Sequence, residues 1–220
     1  MKLLIINGSP KLGINNTSIL LDKFILGFKE NPDNTFQICR MNTKETYQKA
    51  VNEFVDADNI LIAFPLYTYS MPAGIKLFFE SLEHYQKKCH GKKVAFLVQY
   101  GFVEATHARP LEKYLAFICK ILECEYMGTI IKGGCDGLSR NQIGAKKILR
   151  GMYEIGKSFG ACGKFDYDQL NHYSAPEVTK KMNRLLVKIM FWAINKFYWE
   201  RAFKKNGISV KESFAKPYGE

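Results

Sequence analysis

The sequence predicts an α/β protein: a doubly wound, five-stranded parallel sheet of order 2-1-3-4-5, with an extra C-terminal helix. Three observations carry this reading. Short aliphatic runs alternate with longer segments of helical periodicity, the pattern of successive βα units. The runs Leu3 to Ile6 and Ile60 to Phe64 are continuously apolar, as strands covered on both faces must be. No internal repeat replaces that alternation by a solenoid or propeller period.

The elements follow in order. Leu3 to Ile6 is the first strand, broken by Gly8. A helix runs from about Thr17 to Lys29, with Ile19, Leu20, Phe24 and Phe28 on its buried stripe, and Asn31, Pro32 and Asp33 end it. Thr35 to Met41 suits a second strand, and Thr43 caps a helix to about Ala57. Asn59 to Phe64 is the central strand, stopped at Pro65, which cannot donate to a ladder. Pro72 occupies the first turn of the next helix, whose buried face is Ile75, Phe78, Phe79 and Leu82. Lys93 to Tyr100 is a fourth strand, Pro110 to about Cys124 a helix, and Tyr126 to Lys132 a fifth strand. A glycine-rich segment, residues 133–137, leads into a helix from about Asn141 to Phe159. These units make a sheet domain of residues 1–163. Residues 164–220 read as a helical appendage, a polar stretch from Asp166 to Pro176 followed by one helix from about Glu177 to Lys205.

Composition bounds the function. A chain of 220 residues that is 47% hydrophobic, with 16 Phe and 12 Tyr, has ample material for a core and none of the signature of disorder. The apolar run after Lys2 is too short for a signal-peptide core, so the expected address is the cytoplasm. Six scattered cysteines show no CxxC pair, and four histidines show no HExxH spacing, so neither disulfides nor a metal site is expected. The net charge of +11 attracts anions without naming one.

The chemistry is expected where strand carboxyl ends meet the switch in strand order. The first loop, residues 7–18, should cradle a phosphate. Ser9, Thr17 and Ser18 offer hydroxyls, Asn16 an amide and Lys11 a charge, at a helix N-terminus that directs free N–H groups toward an anion. Gly8 and Gly13 have the glycine spacing of a Walker A loop, but Ile14 stands where its lysine must be. The dinucleotide fingerprint G-x-G-x-x-G is missing too. The second loop, Pro65-Leu66-Tyr67-Thr68-Tyr69-Ser70-Met71, offers aromatic faces and backbone amides suited to a flat ring such as isoalloxazine. The third, Tyr100-Gly101-Phe102-Val103-Glu104, should line the same crevice, with Glu104 or His107 near the ring edge or the incoming substrate.

Over roughly residues 1–160 the sequence resembles the NADPH-dependent FMN reductase and NAD(P)H quinone oxidoreductase group of the flavodoxin-like superfamily. Gly8-Ser9-Pro10 with Asn16-Thr17-Ser18 resembles that group's G-S-P-R…N-T-S phosphate loop. Pro65-Leu66-Tyr67 with Met71-Pro72 and Lys76 resembles its P-x-Y…M-P…K segment, and residues 101–104 resemble the G-F-P-E of some members. Lys11 departs from the usual arginine, and Val103 from the proline of the third loop. The resemblance implies bound FMN, NADPH or NADH as electron donor, and a homodimer whose subunits both wall the flavin site. The compact cysteine cluster of the related iron-sulfur flavoproteins is missing here, so no iron-sulfur centre is expected.

The resulting expectation is an FMN-dependent NAD(P)H oxidoreductase acting on a quinone, a flavin or another small acceptor. Because the flavin carries the chemistry, no catalytic side chain is nominated. An electron carrier of flavodoxin type is the first alternative. Its compact T-x-T-G-x-T type loop and acidic surface are both missing. The second is a flavin-binding protein at a membrane surface. Lys180, Lys181, Arg184, Lys188, Lys196, Arg201, Lys204 and Lys205 surround an apolar body, the composition of an interfacial helix. Its apolar run is far shorter than the ~20 residues that span a bilayer. Nucleic acid is not an expected partner; packing of this helix on the domain or on a second subunit is favoured over a membrane surface, and the choice between dimerisation and a membrane surface stays open at this point.

Overall fold

The computed structural model describes residues 1–41, 43–138, 145–180 and 183–216. Five parallel strands, β1 (Lys2–Asn7), β2 (Thr35–Arg40), β3 (Asn59–Pro65), β4 (Lys93–Gln99) and β5 (Glu125–Lys132), form one sheet in the expected order 2-1-3-4-5. Between them run α1 (Asn16–Phe28), α2 (Lys44–Asp56), α3 (Ala73–Leu82), the single turn α4 (Gln86–Cys89) and α5 (Arg109–Ile121). After β5 come α6 (Lys146–Cys162) and α7 (Tyr167–Ser174). The expected start of α6 near Asn141 lies outside the described residues.

Alternation along β1 sorts the core into two layers, because successive side chains of a strand point to opposite faces. Leu4 and Ile6 pack with Phe54, Phe78 and Leu115, from α2, α3 and α5. Leu3 and Ile5 pack with Phe24, Met152 and Phe159, from α1 and α6. The crossing of α1 with α6 is a backbone contact. A Cβ on Gly156 would lie 2.0 Å from the Phe24 carbonyl oxygen, so no larger residue fits without parting the helices. That crossing fixes the direction in which α1 aims its N-terminus.

The chain divides into two compact units, residues 1–179 and 180–220. Residues 164–179, read from the sequence as the start of the appendage, pack with the sheet unit. Phe165, Leu170 and Tyr173 are buried beside α6, and Lys132 Nζ donates to the Tyr173 carbonyl at 2.6 Å. The polar stretch from Asp166 therefore contains a helix, α7, started by the Asp166 carboxylate accepting from the N–H groups of Asp168 and Gln169.

The second unit is helical. Its first helix, α8 (Arg184–Ile194), begins seven residues later than the expected start at Glu177, where the Asn183 side chain accepts from the Leu185 N–H. A π-helical segment, Asn195–Trp199, joins it to α9 (Glu200–Lys205). Lys181 lies outside the described residues.

Candidate functional site

Three loops at the carboxyl ends of β1, β3 and β4 meet through one buried residue. Gln99 ends β4; its carbonyl accepts from the Leu66 N–H of the second loop at 2.9 Å. Its Nε2 donates to the Thr17 hydroxyl of the first loop at 3.2 Å. The first loop and the aromatic second loop are therefore neighbours, as adjacent pairing of β1 with β3 and of β3 with β4 requires. Sequence reasoning passed over Gln99. Its signal was a polar residue closing the apolar run of β4.

The first loop is built around Asn15, which the sequence reading also missed. Its side chain accepts from the Ser18 N–H, and the Ser18 hydroxyl accepts from the Asn15 N–H, a capping box at the start of α1. Asn15 Nδ2 donates back to the carbonyls of Lys11 and Gly13, folding the loop tip over the helix end. Gly8 serves close approach: its N–H donates to the Ala63 carbonyl at 2.8 Å, and a Cβ there would lie 2.1 Å from Ile75 Cδ1.

The expected anion-binding residues are brought to one place, and several of them have partners inside the protein. The hydroxyls of Thr17 and Ser18 and the amide of Asn16 are engaged inside the protein, Asn16 Nδ2 with the Cys135 carbonyl at 2.8 Å. The cap takes only the Ser18 N–H; the N–H groups of Asn16 and Thr17, at the positive end of α1, have no partner among the described residues, Thr17 being fully buried and Asn16 half-buried. Ser9 is buried, its N–H held by Asn7 Oδ1, and its hydroxyl has no partner among the described residues. Lys11 is exposed.

The second loop leaves Pro65 through a tight turn. Tyr67 and Ser70 exchange both backbone hydrogen bonds, at 2.9 and 3.0 Å, across Thr68 and Tyr69, which hold φ of 49° and 62°. Left-handed backbone at a β-branched residue is a strained conformation, of the kind that gathers at ligand sites. The turn presents Tyr67 and Tyr69 to solvent, half exposed, and Met71 buries beneath it.

The third loop is tied to the second by His107. Its Nδ1 lies 3.2 Å from the Tyr69 hydroxyl, and its ring packs against Tyr69, Tyr100 and Phe102. Phe102 is 70% exposed although one edge rests on His107, so an apolar ring is held open to solvent. Tyr100 is buried, and burial pushes its phenol well above the ordinary range; its hydroxyl donates to the Glu104 carbonyl.

Two further segments brace this loop. The glycine-rich loop after β5 lies beneath it. The N–H groups of Gly134 and Cys135 donate to the carbonyls of Phe102 and Tyr100, and a Cβ on Gly133 would meet the Phe102 oxygen at 2.2 Å. Burial pushes the Cys135 thiol up to about 12, so it stays neutral. From the other side, residues 176–179 form a strap. The carbonyls of Pro176 and Glu177 accept from Ala105 and Thr106, and Thr179 donates to the Glu104 carboxylate. Glu177 pairs with Arg109 through both oxygens. Thr179 holds the Glu104 carboxyl below the usual carboxylate range, with help from His107 at 3.6 Å. Neither brace was visible as a site signal in the sequence.

The family described as the flavodoxin-like fold matches residues 1–151. The chain belongs to that family. No curated protein matches its sequence. Among solved structures, an NADPH-quinone reductase from P. pentosaceus is similar at 19% identity, covering 70% of this chain and 96% of that one, with a TM-score of 0.51. An NAD(P)H:quinone oxidoreductase from Methanothermobacter marburgensis covers 72% and 98% at 17% identity and a TM-score of 0.53. General stress protein 14 from Treponema denticola, solved in complex with FMN, covers 73% and 98% at 14% identity and a TM-score of 0.55. At these identities the likeness is one of fold. Among the described residues of this flavodoxin-like chain, no group of three or more His, Cys, Asp or Glu is placed to hold a metal ion.

Proposed function

We propose that this chain is an FMN-dependent oxidoreductase that takes electrons from NADH or NADPH and passes them to a quinone, a flavin or another small acceptor. The single observation that carries the reading is the Gln99 bridge, which sets an open helix N-terminus beside a wall of exposed aromatic rings. A phosphate on a short linker to a planar ring fits that juxtaposition. The N–H groups of Asn16 and Thr17, with the Ser9 hydroxyl, would receive the phosphate; Tyr67, Tyr69 and Phe102 would flank the ring. The structural neighbours named as quinone reductases, and the general stress protein solved in complex with FMN, support the same reading.

The chemistry supplied by bound FMN is two-electron transfer between the nicotinamide and the acceptor. The chain's own residues position and shield. The Thr68-Tyr69 turn aims two phenols without a further conformational step, and His107 locks the second of them to the third loop. Phe102 and Val103, both exposed, leave room beside the ring for an acceptor. The homodimer belongs to the same proposal. Tyr114, Phe117 and Ile121 make an exposed apolar stripe at i, i+3 and i+7 on α5, beside a groove of about 250 Å³ that reaches Met71.

The test is a visible spectrum of the purified protein, identification of any released cofactor, and stopped-flow mixing with NADPH and NADH. Bleaching of the flavin within a turnover time is expected. Apoprotein that takes up no FMN at millimolar supply would end the proposal, and a bound flavin inert to both nicotinamides would favour a carrier.

A further inference from the structure

The second unit carries its own signal, independent of the flavin site. Among its described residues none of the large apolar side chains is buried: Trp192 is 62% exposed, Phe191 57%, Phe197 57% and Trp199 47%. On α8, Arg184 and Lys188 share one narrow stripe at i, i+4, and the rest of the circumference is apolar. A helix apolar nearly all round is stable only against something that covers it. The surrounding charge is one-sided. Residues 180–220 hold ten lysines or arginines against three glutamates, and no acidic residue lies between Val178 and Trp199.

We infer that this unit is a membrane-surface anchor, whose apolar body seats among the acyl chains while its basic side chains meet anionic lipid headgroups. Charge decides between occupants. A second copy brings the same excess, ten basic side chains against three glutamates, and so leaves the charge uncompensated. An anionic bilayer supplies the missing charge, and long basic side chains reach headgroups while their stems stay among lipid. The length fits lying flat. Residues 185–194 rise roughly 15 Å, half of the ~30 Å hydrocarbon core, and no helix among the described residues is long and apolar enough to cross a membrane. Trp192, Tyr198 and Trp199 are the side chains enriched at the membrane–water boundary.

Both tryptophans of the chain lie in this unit, so its fluorescence reports on the anchor alone. The full chain, with and without FMN, is mixed with vesicles of phosphatidylcholine and of phosphatidylcholine with 30 mol% phosphatidylglycerol. Anionic vesicles are expected to shift tryptophan emission to the blue and to pellet the protein. Neutral vesicles should bind at least ten-fold less, and high salt should weaken the anionic binding. Each basic side chain at an anionic surface contributes roughly five-fold to partitioning. The combined substitution Arg184→Glu, Lys188→Glu, Arg201→Glu and Lys204→Glu, all at exposed positions, should therefore weaken binding at least a hundred-fold with the circular dichroism spectrum unchanged. Should those four changes alter folding, Trp192→Ala is the second variant, and it too should lose binding. Equal partition into both vesicles overturns the inference, as does emission that no vesicle moves. A concentration-dependent blue shift without lipid would assign the surface to a second copy instead. Because the readout is tryptophan emission, failure of the flavin reading leaves this test intact.

Discussion

Gly133→Ala probes the floor of the third loop. An added Cβ would stand 2.2 Å from the Phe102 carbonyl oxygen and 2.9 Å from that of Val103, where ordinary contact begins at 3.4 Å. Relief requires the loop to lift by about 1 Å, because both obstructing atoms are backbone. Overpacking of this kind costs about 1–3 kcal/mol. The same movement stretches the hydrogen bond from Gly134 to Phe102, now 2.8 Å, which contributes about 1 kcal/mol more. A total of about 2–4 kcal/mol lowers Tm by roughly 4–16 °C in a chain of this size. Phe102 and His107 move with the loop, so the aromatic wall parts from the first loop and FMN affinity falls by about ten-fold, equivalent to ~1.4 kcal/mol. Thermal melting and FMN titration by flavin-fluorescence quenching read the two effects. Gly74→Ala is the control. Its Cβ meets nothing closer than Met41 Cε at 4.0 Å, in a helix where alanine is favoured over glycine, so its Tm should rise. If Gly133→Ala melts and binds FMN like the parent, the loop is not seated as described and the geometric case for the site fails.

Three further predictions follow from the same geometry. Gln99→Leu keeps the volume but strips the Thr17 hydroxyl of its donor; a loss of about 1–3 kcal/mol in chemical denaturation and weaker FMN binding are expected, and unchanged binding would deny Gln99 its bridging role. Thr68→Gly should raise Tm by relieving left-handed strain of about 1–2 kcal/mol, whereas a lower Tm would mean the threonine side chain stabilises the turn. Glu104 is held below its ordinary value of 4.5, so its contribution to stability is full above that pH and is lost as the pH falls through the lowered folded value. Melting curves of the parent and of Thr179→Val should therefore differ at pH 6 and converge toward pH 3; a constant difference would sever Glu104 from the strap.

The sheet was legible because its code is local. Continuous apolar runs need cover on both faces, and β1, β3 and β4 appear where those runs lie. The expected first helix was legible for the same reason. What escaped is what depends on distant partners. Helix α7 presents few apolar residues, so its periodicity gives little signal, and its buried residues Leu170 and Tyr173 join a core built by distant elements. Gln99 looks like a strand end until β4 is placed beside β3 and Thr17 beside both. That the capping box engages the Ser18 hydroxyl and that Gln99 donates to the Thr17 hydroxyl is likewise invisible in the local sequence. Helix α8 starts late because the backbone of residues 176 and 177 is already committed to the third loop.

That commitment ties residues 176–179 to the third loop. The chain leaves the sheet unit directly after Thr179, and the last residues of that unit are held by the bonds to Ala105, Thr106, Glu104 and Arg109. If anchoring shifts those bonds, it changes the affinity of the crevice for its cofactor, and linkage then obliges the cofactor to change the strength of anchoring by the same factor.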